Sequence, residues 1–180
     1  MGGALTIRPA TRGDAAAIAV IYAHYVLNSA VTFEVNPPDS AEMAARIQHI
    51  LPRYPFLVAE RGRRLIGYAY AGKLYERAAY RWATEATVYV DHRQHRQKIG
   101  TALYRTLIAA LNEQGFQAVV GKITLPNRAS VSLHEAFGFV RSGILAKVGF
   151  KNGGWHDVGL YQLDFGSRPA KPEEPRPFTL

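Results

Sequence analysis

Cysteine is missing from all 180 residues. Disulfides, thiolate metal centres and cysteine nucleophiles are therefore excluded, and no metal is expected. No apolar run is long enough to cross a bilayer, and the first residues carry neither the charged nor the apolar segment of a secretory signal. The expectation is a cytoplasmic protein with no membrane partner. The opening "MGGALT" matches the loose N-myristoylation pattern, but it runs straight into a predicted strand. Internal repeats, zinc-finger spacing and RNP-like segments are all lacking, so the usual base-reading devices are absent. Acidic residues are the minority, 14 against 22 basic, for a formal charge of +8. That balance favours an anionic partner. The densest basic run sits at one helix start, which suits a compact phosphate group better than a nucleic-acid duplex.

What is present reads as one soluble domain. Hydrophobic residues make up 48%, enough for a substantial core at this length. "LTIRPA" (5–10) predicts a strand, and Thr11 with Asp14 forms a capping-box pair. Ile18, Ile21, Tyr22 and Tyr25 then recur at helical spacing. "NPPDS" breaks the chain; Met43, Ile47 and Ile50 mark a second helix that stops near Pro52. Strands follow at 56–60 and 64–72, with a hairpin turn at Arg61–Arg63. Residues 73–81 read as a loop. Residues 82–90 read as a strand on which Glu85, Thr87 and Tyr89 share a face. Ile99, Leu103, Leu107, Ala110 and Leu111 give a helical stripe ended by Gly115. A strand at 117–124, a helix capped by Asn127 and running to about Phe137, and strands at 139–150 and 157–165 complete the pattern, the last two joined by the turn "KNGGWH". The fold class is α/β: a mixed central sheet of about seven strands with about four helices. Residues 1–165 form the domain, and 166–180 a Pro-rich extended tail.

Two segments carry chemistry. In "HRQHRQKIGTALY" (92–104) a strand gives way to a basic turn and then a helix. The first N–H groups of a helix have no internal partner and can point at an anion. Gly100 lets that anion approach the backbone, and Arg96 and Lys98 add charge. The plain alternative is a solvated basic loop. In "LPNRASVSLHEAFGF" (125–139), Asn127 caps a helix whose His134 lies one turn from Ser130; a lone histidine of this kind is usually structural.

Together the two segments resemble the GNAT family of N-acetyltransferases, whose Q/R-x-x-G-x-G/A turn binds the pyrophosphate of coenzyme A. Here the register is His95-x-x-Lys98-x-Gly100-Thr101, with lysine at the first glycine position. A lysine amide can still donate if its φ is not forced positive. "TFEVNPP", "RYPFLVAE", "GYAYAG", "AYRWATEATVYV" and "GFKNGGWHDVGLYQLDF" extend the likeness across residues 4–165 to the phosphinothricin and methionine sulfoximine acetyltransferase group.

The resemblance implies a single GNAT fold that moves acetyl from acetyl-CoA to the α-amine of a small amino acid, by direct attack. It implies Glu85 as general base, where the residue alone reads equally as a strand-face carboxylate paired with an arginine. It implies an acid/base part for His134, which can also act by tuning or positioning. Val88, Tyr89 and Val90 would pair with the pantetheine arm. His95, Arg96, Gln97, Lys98, Ile99, Gly100 and Thr101 would hold the pyrophosphate, and Asn127 would either touch the cofactor or serve only as a cap. The substrate loop falls on Ala78, Ala79 and Tyr80, with Arg81 as a carboxylate clamp and Phe33 as an apolar wall; each is equally a plain loop residue. Members of the group pair as dimers, and the "GGWHD" turn is a candidate contact, with Trp155 either there or in the core. Three other readings remain: a GNAT enzyme for a polyamine or protein N-terminus, an acyl-CoA sensor without turnover, and a nucleic-acid-binding module.

Overall fold

In a computed structural model, which describes residues 3–166 and 168–179, two layers of helices enclose one mixed sheet. Met1 and Gly2, on which the myristoylation pattern depends, lie outside the described residues. The order is β1 (Leu5–Pro9), α1 (Ala15–Asn28), α2 (Ser40–Ile50), β2 (Phe56–Arg61), β3 (Arg64–Lys73), β4 (Ala83–Val90), α3 (Ile99–Gln114), β5 (Ala118–Leu125), α4 (Arg128–Ala136), β6 (Val140–Lys151) and β7 (Gly154–Asp164). The strands lie in the order β1-β2-β3-β4-β5-β7-β6. Seven strands and four α-helices match the predicted class.

Side-chain alternation explains the layers. On β2, Phe56 and Val58 face α1 and α2, where Ile18, Ile21, Tyr22, Val26, Met43 and Ile47 are buried. Leu57 and Ala59 face α3, whose Ile99, Leu103, Leu107 and Leu111 fill the other side. A strand covered on both faces needs apolar residues at every position, which is why "FLVA" shows no alternation.

Local chemistry moves several boundaries. The Asp14 carboxylate accepts from the Thr11 N–H at 2.7 Å, but this contact closes a 3-10 turn at Arg12–Asp14, and α1 starts only at Ala15. A second 3-10 turn at Ala78–Tyr80 interrupts the predicted loop. The "KNGGWH" linker is far shorter than expected. Asn152 and Gly153 have φ of 51° and 76°, the double left-handed pattern of a two-residue hairpin turn, for which Asn-Gly is favoured. Trp155 and His156 therefore belong to β7, and Trp155 is 63% exposed rather than core.

Beyond Phe165 the described residues form no helix or strand but are fastened down. The Trp82 indole N–H donates to the Glu173 carbonyl at 2.8 Å. Gln114 donates to the carbonyls of Arg53 and Arg176 at 2.8 and 2.7 Å, and Phe178 packs against the α3-side core.

Candidate active site

The sheet forks between β4 and β5. Each strand has eight residues, yet they pair in parallel only at Ala83↔Ala118, Thr84↔Val119 and Glu85↔Val120. Past that point β5 pairs with β7 alone, so the β5-facing edge of Ala86–Val90, which includes Val88, Tyr89 and Val90, has no strand partner among the described residues. Glu85 stands at the apex of the fork.

The mouth of the fork is the basic turn. Asp91 is buried and organises it. Its carboxylate accepts from the Arg93 backbone N–H at 3.1 Å, from Arg93 Nε and Nη2 at 3.0 Å each, and from Arg64 Nη2 at 2.9 Å. Bonding to Arg93, opposed by burial and helped by Arg64, holds the Asp91 pKa down at about 2. Tyr25 Oη donates to the Val90 carbonyl at 2.5 Å and lies 2.9 Å from His95 Nε2. Gln97 bonds Gln94 at 3.0 Å and also receives Arg61. Arg96 and Lys98 have φ of 61° and 58°. Lysine thus occupies the left-handed conformation that the motif's first glycine adopts at no cost, the condition that the sequence reading set against it.

Lys98 is the N-cap of α3, and no side chain caps that helix. The amides of Ile99, Gly100 and Thr101 are thus left for an outside acceptor. A Cβ placed on Gly100 would sit 3.5 Å from Leu133 and 3.8 Å from Val90, ordinary contact distances, so internal packing does not demand glycine here. These features fit a bound pyrophosphate: free helix-start amides, two nearby cations and a bare Cα.

His134, by contrast, is only 3% exposed. Its Nδ1–H donates to the Ser130 carbonyl at 2.8 Å, and Nε2 accepts from the Tyr104 hydroxyl at 2.8 Å. Burial lowers its pKa, partly offset by the Ser130 carbonyl, which favours the neutral ring. It rests on the backbone of Gly121, where an added Cβ would lie 2.4 Å from Nε2. Tyr104 is also buried, and its pKa is raised by desolvation and the charge of Glu85. Asn127 uses Oδ1 as a cap for the Ser130 N–H at 3.1 Å.

The loop that the resemblance assigns to the substrate is held from two sides. Tyr75 and Tyr80 meet edge-on at 4.8 Å beside a cleft of about 280 Å³ that Lys73, Arg77 and Ala78 also line. Ala79 is the middle residue of the 3-10 turn. Arg81, expected as a carboxylate clamp, has its guanidinium engaged within the chain. It pairs with Glu174 of the tail, donates to the Ala78 carbonyl at 3.0 Å and stacks 4.8 Å over Trp82. Phe33 is seated against β6, where a Cβ on Gly149 would come within 2.2 Å of its ring.

Three contacts escaped the sequence reading. Lys122 Nζ lies 2.7 Å from Glu85 Oε2, so the partner of Glu85 is a lysine on the neighbouring strand and not an arginine. Buried Lys151 donates to the carbonyls of Thr32 and Glu34 at 2.8 and 2.7 Å, fastening the α1–α2 loop to β6. The Tyr22 hydroxyl bonds Thr32 Oγ1 at 2.7 Å and Glu34 Oε1 at 2.9 Å. Among the described residues, no cluster of three or more histidines or carboxylates could hold a metal ion, and no helix is long and apolar enough to cross a membrane.

A mixed sheet forked between two parallel strands, with an uncapped and basic helix start at the fork, is also the architecture of known acetyltransferases. The Acetyltransferase (GNAT) domain profile matches residues 7–160. Phosphinothricin N-acetyltransferase of Streptomyces viridochromogenes is 46% identical over 96% of this chain and 94% of its own. The L-methionine sulfoximine/L-methionine sulfone acetyltransferase of Salmonella typhimurium is 34% identical over 92% and 98%. A crystal structure of a GNAT superfamily phosphinothricin acetyltransferase from Sinorhizobium meliloti in complex with acetyl-CoA superposes with a TM-score of 0.90 at 37% identity, covering 94% of each chain. The chain belongs to the GNAT acetyltransferase family.

Proposed function

We propose that this enzyme moves acetyl from acetyl-CoA to the α-amine of a small amino acid of the phosphinothricin or methionine sulfoximine type. The fork with Glu85 at its apex and the uncapped α3 start at its mouth carries the reading; the two relatives named for those substrates support the acceptor class. The amides of Ile99, Gly100 and Thr101, with the turn His95–Lys98, would hold the pyrophosphate. Val88, Tyr89 and Val90 would take the pantetheine arm as an added strand, and the Asn127 amide nitrogen is free to assist. Acetyl-CoA supplies the acetyl group as a thioester, already activated for transfer.

The acceptor arrives mostly as an ammonium ion, which cannot attack. Glu85 takes the proton, directly or through one water. The freed lone pair forms the C–N bond as the C–S bond breaks, and a backbone N–H on the open edge of β4 draws charge onto the carbonyl oxygen. The second proton of the nitrogen passes to the departing thiolate, leaving the neutral amide and coenzyme A as the thiol. A thiol has a pKa near ~8.5, so the departing sulfur needs little help. His134 has both nitrogens engaged and meets the site only through Tyr104, whose hydroxyl it orients; it is a positioning residue on this reading. Phe33, Ala78, Ala79, Tyr80 and Arg81 shape the acceptor pocket. The need for acetyl-CoA supports a cytoplasmic enzyme, and acetylation of a phosphinothricin-type herbicide would confer resistance to it. The exposed apolar edge at β6 supports a homodimer.

Free-thiol release should be measured with phosphinothricin, methionine sulfoximine, glutamate, spermidine and a peptide N-terminus. Release with the first two is expected. Release with spermidine or the peptide alone would move the acceptor class, and coenzyme binding with no release from any amine would favour the sensor. In Glu85→Gln, turnover should fall about 100-fold or more while coenzyme A binding stays within twofold; a wild-type rate would remove Glu85 as base.

A further inference from the structure

We propose that Glu85 and Lys122 form a paired receptor for the α-amino-acid headgroup, in which the substrate's α-ammonium replaces Lys122 at Glu85 and Lys122 turns to the substrate's α-carboxylate. The inference rests on the N-acetyltransferase reading above and names the group that selects an amino acid from other amines.

The two charges are 2.7 Å apart and partly open to solvent, with side-chain exposures of 29% for Glu85 and 33% for Lys122. A pair this exposed is weakly held, so a solute can separate it. A free α-amino acid brings the complementary charges on adjacent groups, and each can form a charge-assisted hydrogen bond with its opposite number. The sheet holds both residues at the fork. Glu85 is opposite Val120 across the parallel pairing, and Lys122 lies two residues further along β5 on the same face, where the strands part.

Room for a headgroup is present. Gly72 is the partner of Glu85 across β3 and β4, and a Cβ built on it meets nothing within 4 Å. The cleft lies next to it: the Lys122 ammonium sits 5.5 Å from the centre of the Tyr75 ring, and Tyr75 lines the cleft of the substrate loop. Of the other cations along that cleft, Arg53, Lys73, Arg77 and Arg81, Arg81 is committed to Glu174, Ala78 and Trp82 and Lys73 to Glu76, whereas Lys122 is the cation paired directly with Glu85. Lysine suits an exchange of partners, because its ammonium is a rotatable point charge on a flexible stem.

The test compares wild type, Lys122→Met and Lys122→Arg in the full chain. Thiol release is measured with L-phosphinothricin, L-methionine sulfoximine and the α-carboxamide of the latter. Calorimetry with coenzyme A present measures the Kd of L-methionine sulfoximine. Lys122→Met should raise both KM for the amino acids and that Kd about tenfold or more, without changing coenzyme A affinity or the unfolding midpoint. The carboxamide, which has no α-carboxylate to lose, should show the same KM with Lys122→Met as with wild type. Lys122→Arg, which keeps the positive charge, should lose less affinity for the amino acids than Lys122→Met. Equal losses for acid and carboxamide would mean that Lys122 acts only on Glu85, and would overturn the receptor. Unchanged KM in Lys122→Met would also overturn it, while wild-type turnover of amino acids kept the acetyltransferase reading standing. No wild-type release with any amino acid would overturn both.

Discussion

Lys98 carries two opposing effects at one position. Its φ of 58° costs a non-glycine residue roughly 1–2 kcal/mol, while its ammonium adds charge where an anion would bind. Glycine would relieve the strain but would lose about 0.5–1 kcal/mol to the greater freedom of the unfolded chain. Lys98→Gly should therefore be more stable by about 0.5–1 kcal/mol in urea unfolding, yet bind coenzyme A about fivefold more weakly and with less salt dependence. Equal affinity in the two proteins would show that Lys98 serves only as backbone. The cationic turn and Glu85 were legible because they are contiguous in sequence or lie on a recognisable strand. Lys122 was not. It is a single charge inside the apolar run "QAVVGKIT", and its meaning comes from a parallel pairing to a strand more than thirty residues earlier.

At the level of elements, hydrophobic period located every strand and α-helix, most boundaries falling within one or two residues. The failures have local causes: the capping contact at Asp14 closed a 3-10 turn, and Asn152-Gly153 shortened a six-residue linker to two. The period also placed His134 on α4, but could not show that its ring would be buried between Tyr104 and the bare backbone of Gly121. That burial has a consequence for stability. The folded chain keeps His134 neutral below its ordinary pKa, whereas the unfolded chain binds a proton near pH ~6.5. Its contribution is therefore complete above about pH 6.5 and is lost as the pH falls toward the folded value, by about 1.4 kcal/mol for each unit of displacement. Asp91 titrates in a separate window, its contribution being lost as the pH drops from about 4 toward 2. Urea midpoints measured between pH 8 and 5 should fall more steeply for wild type than for His134→Gln; parallel slopes would place the destabilising proton elsewhere.

At the scale of the whole molecule, the described residues gather several exposed apolar side chains along β6. β6 is one of the two edges of the sheet, β1 being the other, and it and the adjoining start of β7 expose Val140, Ile144, Leu145, Val148, Phe150 and Trp155. Edge strands left bare and apolar invite pairing, and six large apolar side chains in one region exceed the scattered exposure usual for a monomer. The C-terminal tail, by contrast, is fastened through Trp82 and Gln114, contacts that its Pro-rich, charged composition did not announce, because they are made by the tail's main-chain groups. A self-complementary pairing through β6 would bury the apolar side chains without any new element, and the short Asn152-Gly153 turn sets Phe150 opposite Trp155, their rings tilted at 59° with centroids 5.3 Å apart. The chain should therefore sediment at about twice its own 19.9 kDa at micromolar concentration. Phe150 is 60% exposed, so Phe150→Glu should leave the fold intact while placing like charges face to face across a two-fold interface, shifting the protein to the single-chain mass. A wild-type protein that stays at 19.9 kDa up to high concentration would sink the pairing and leave the apolar edge without a second copy of the chain as its partner.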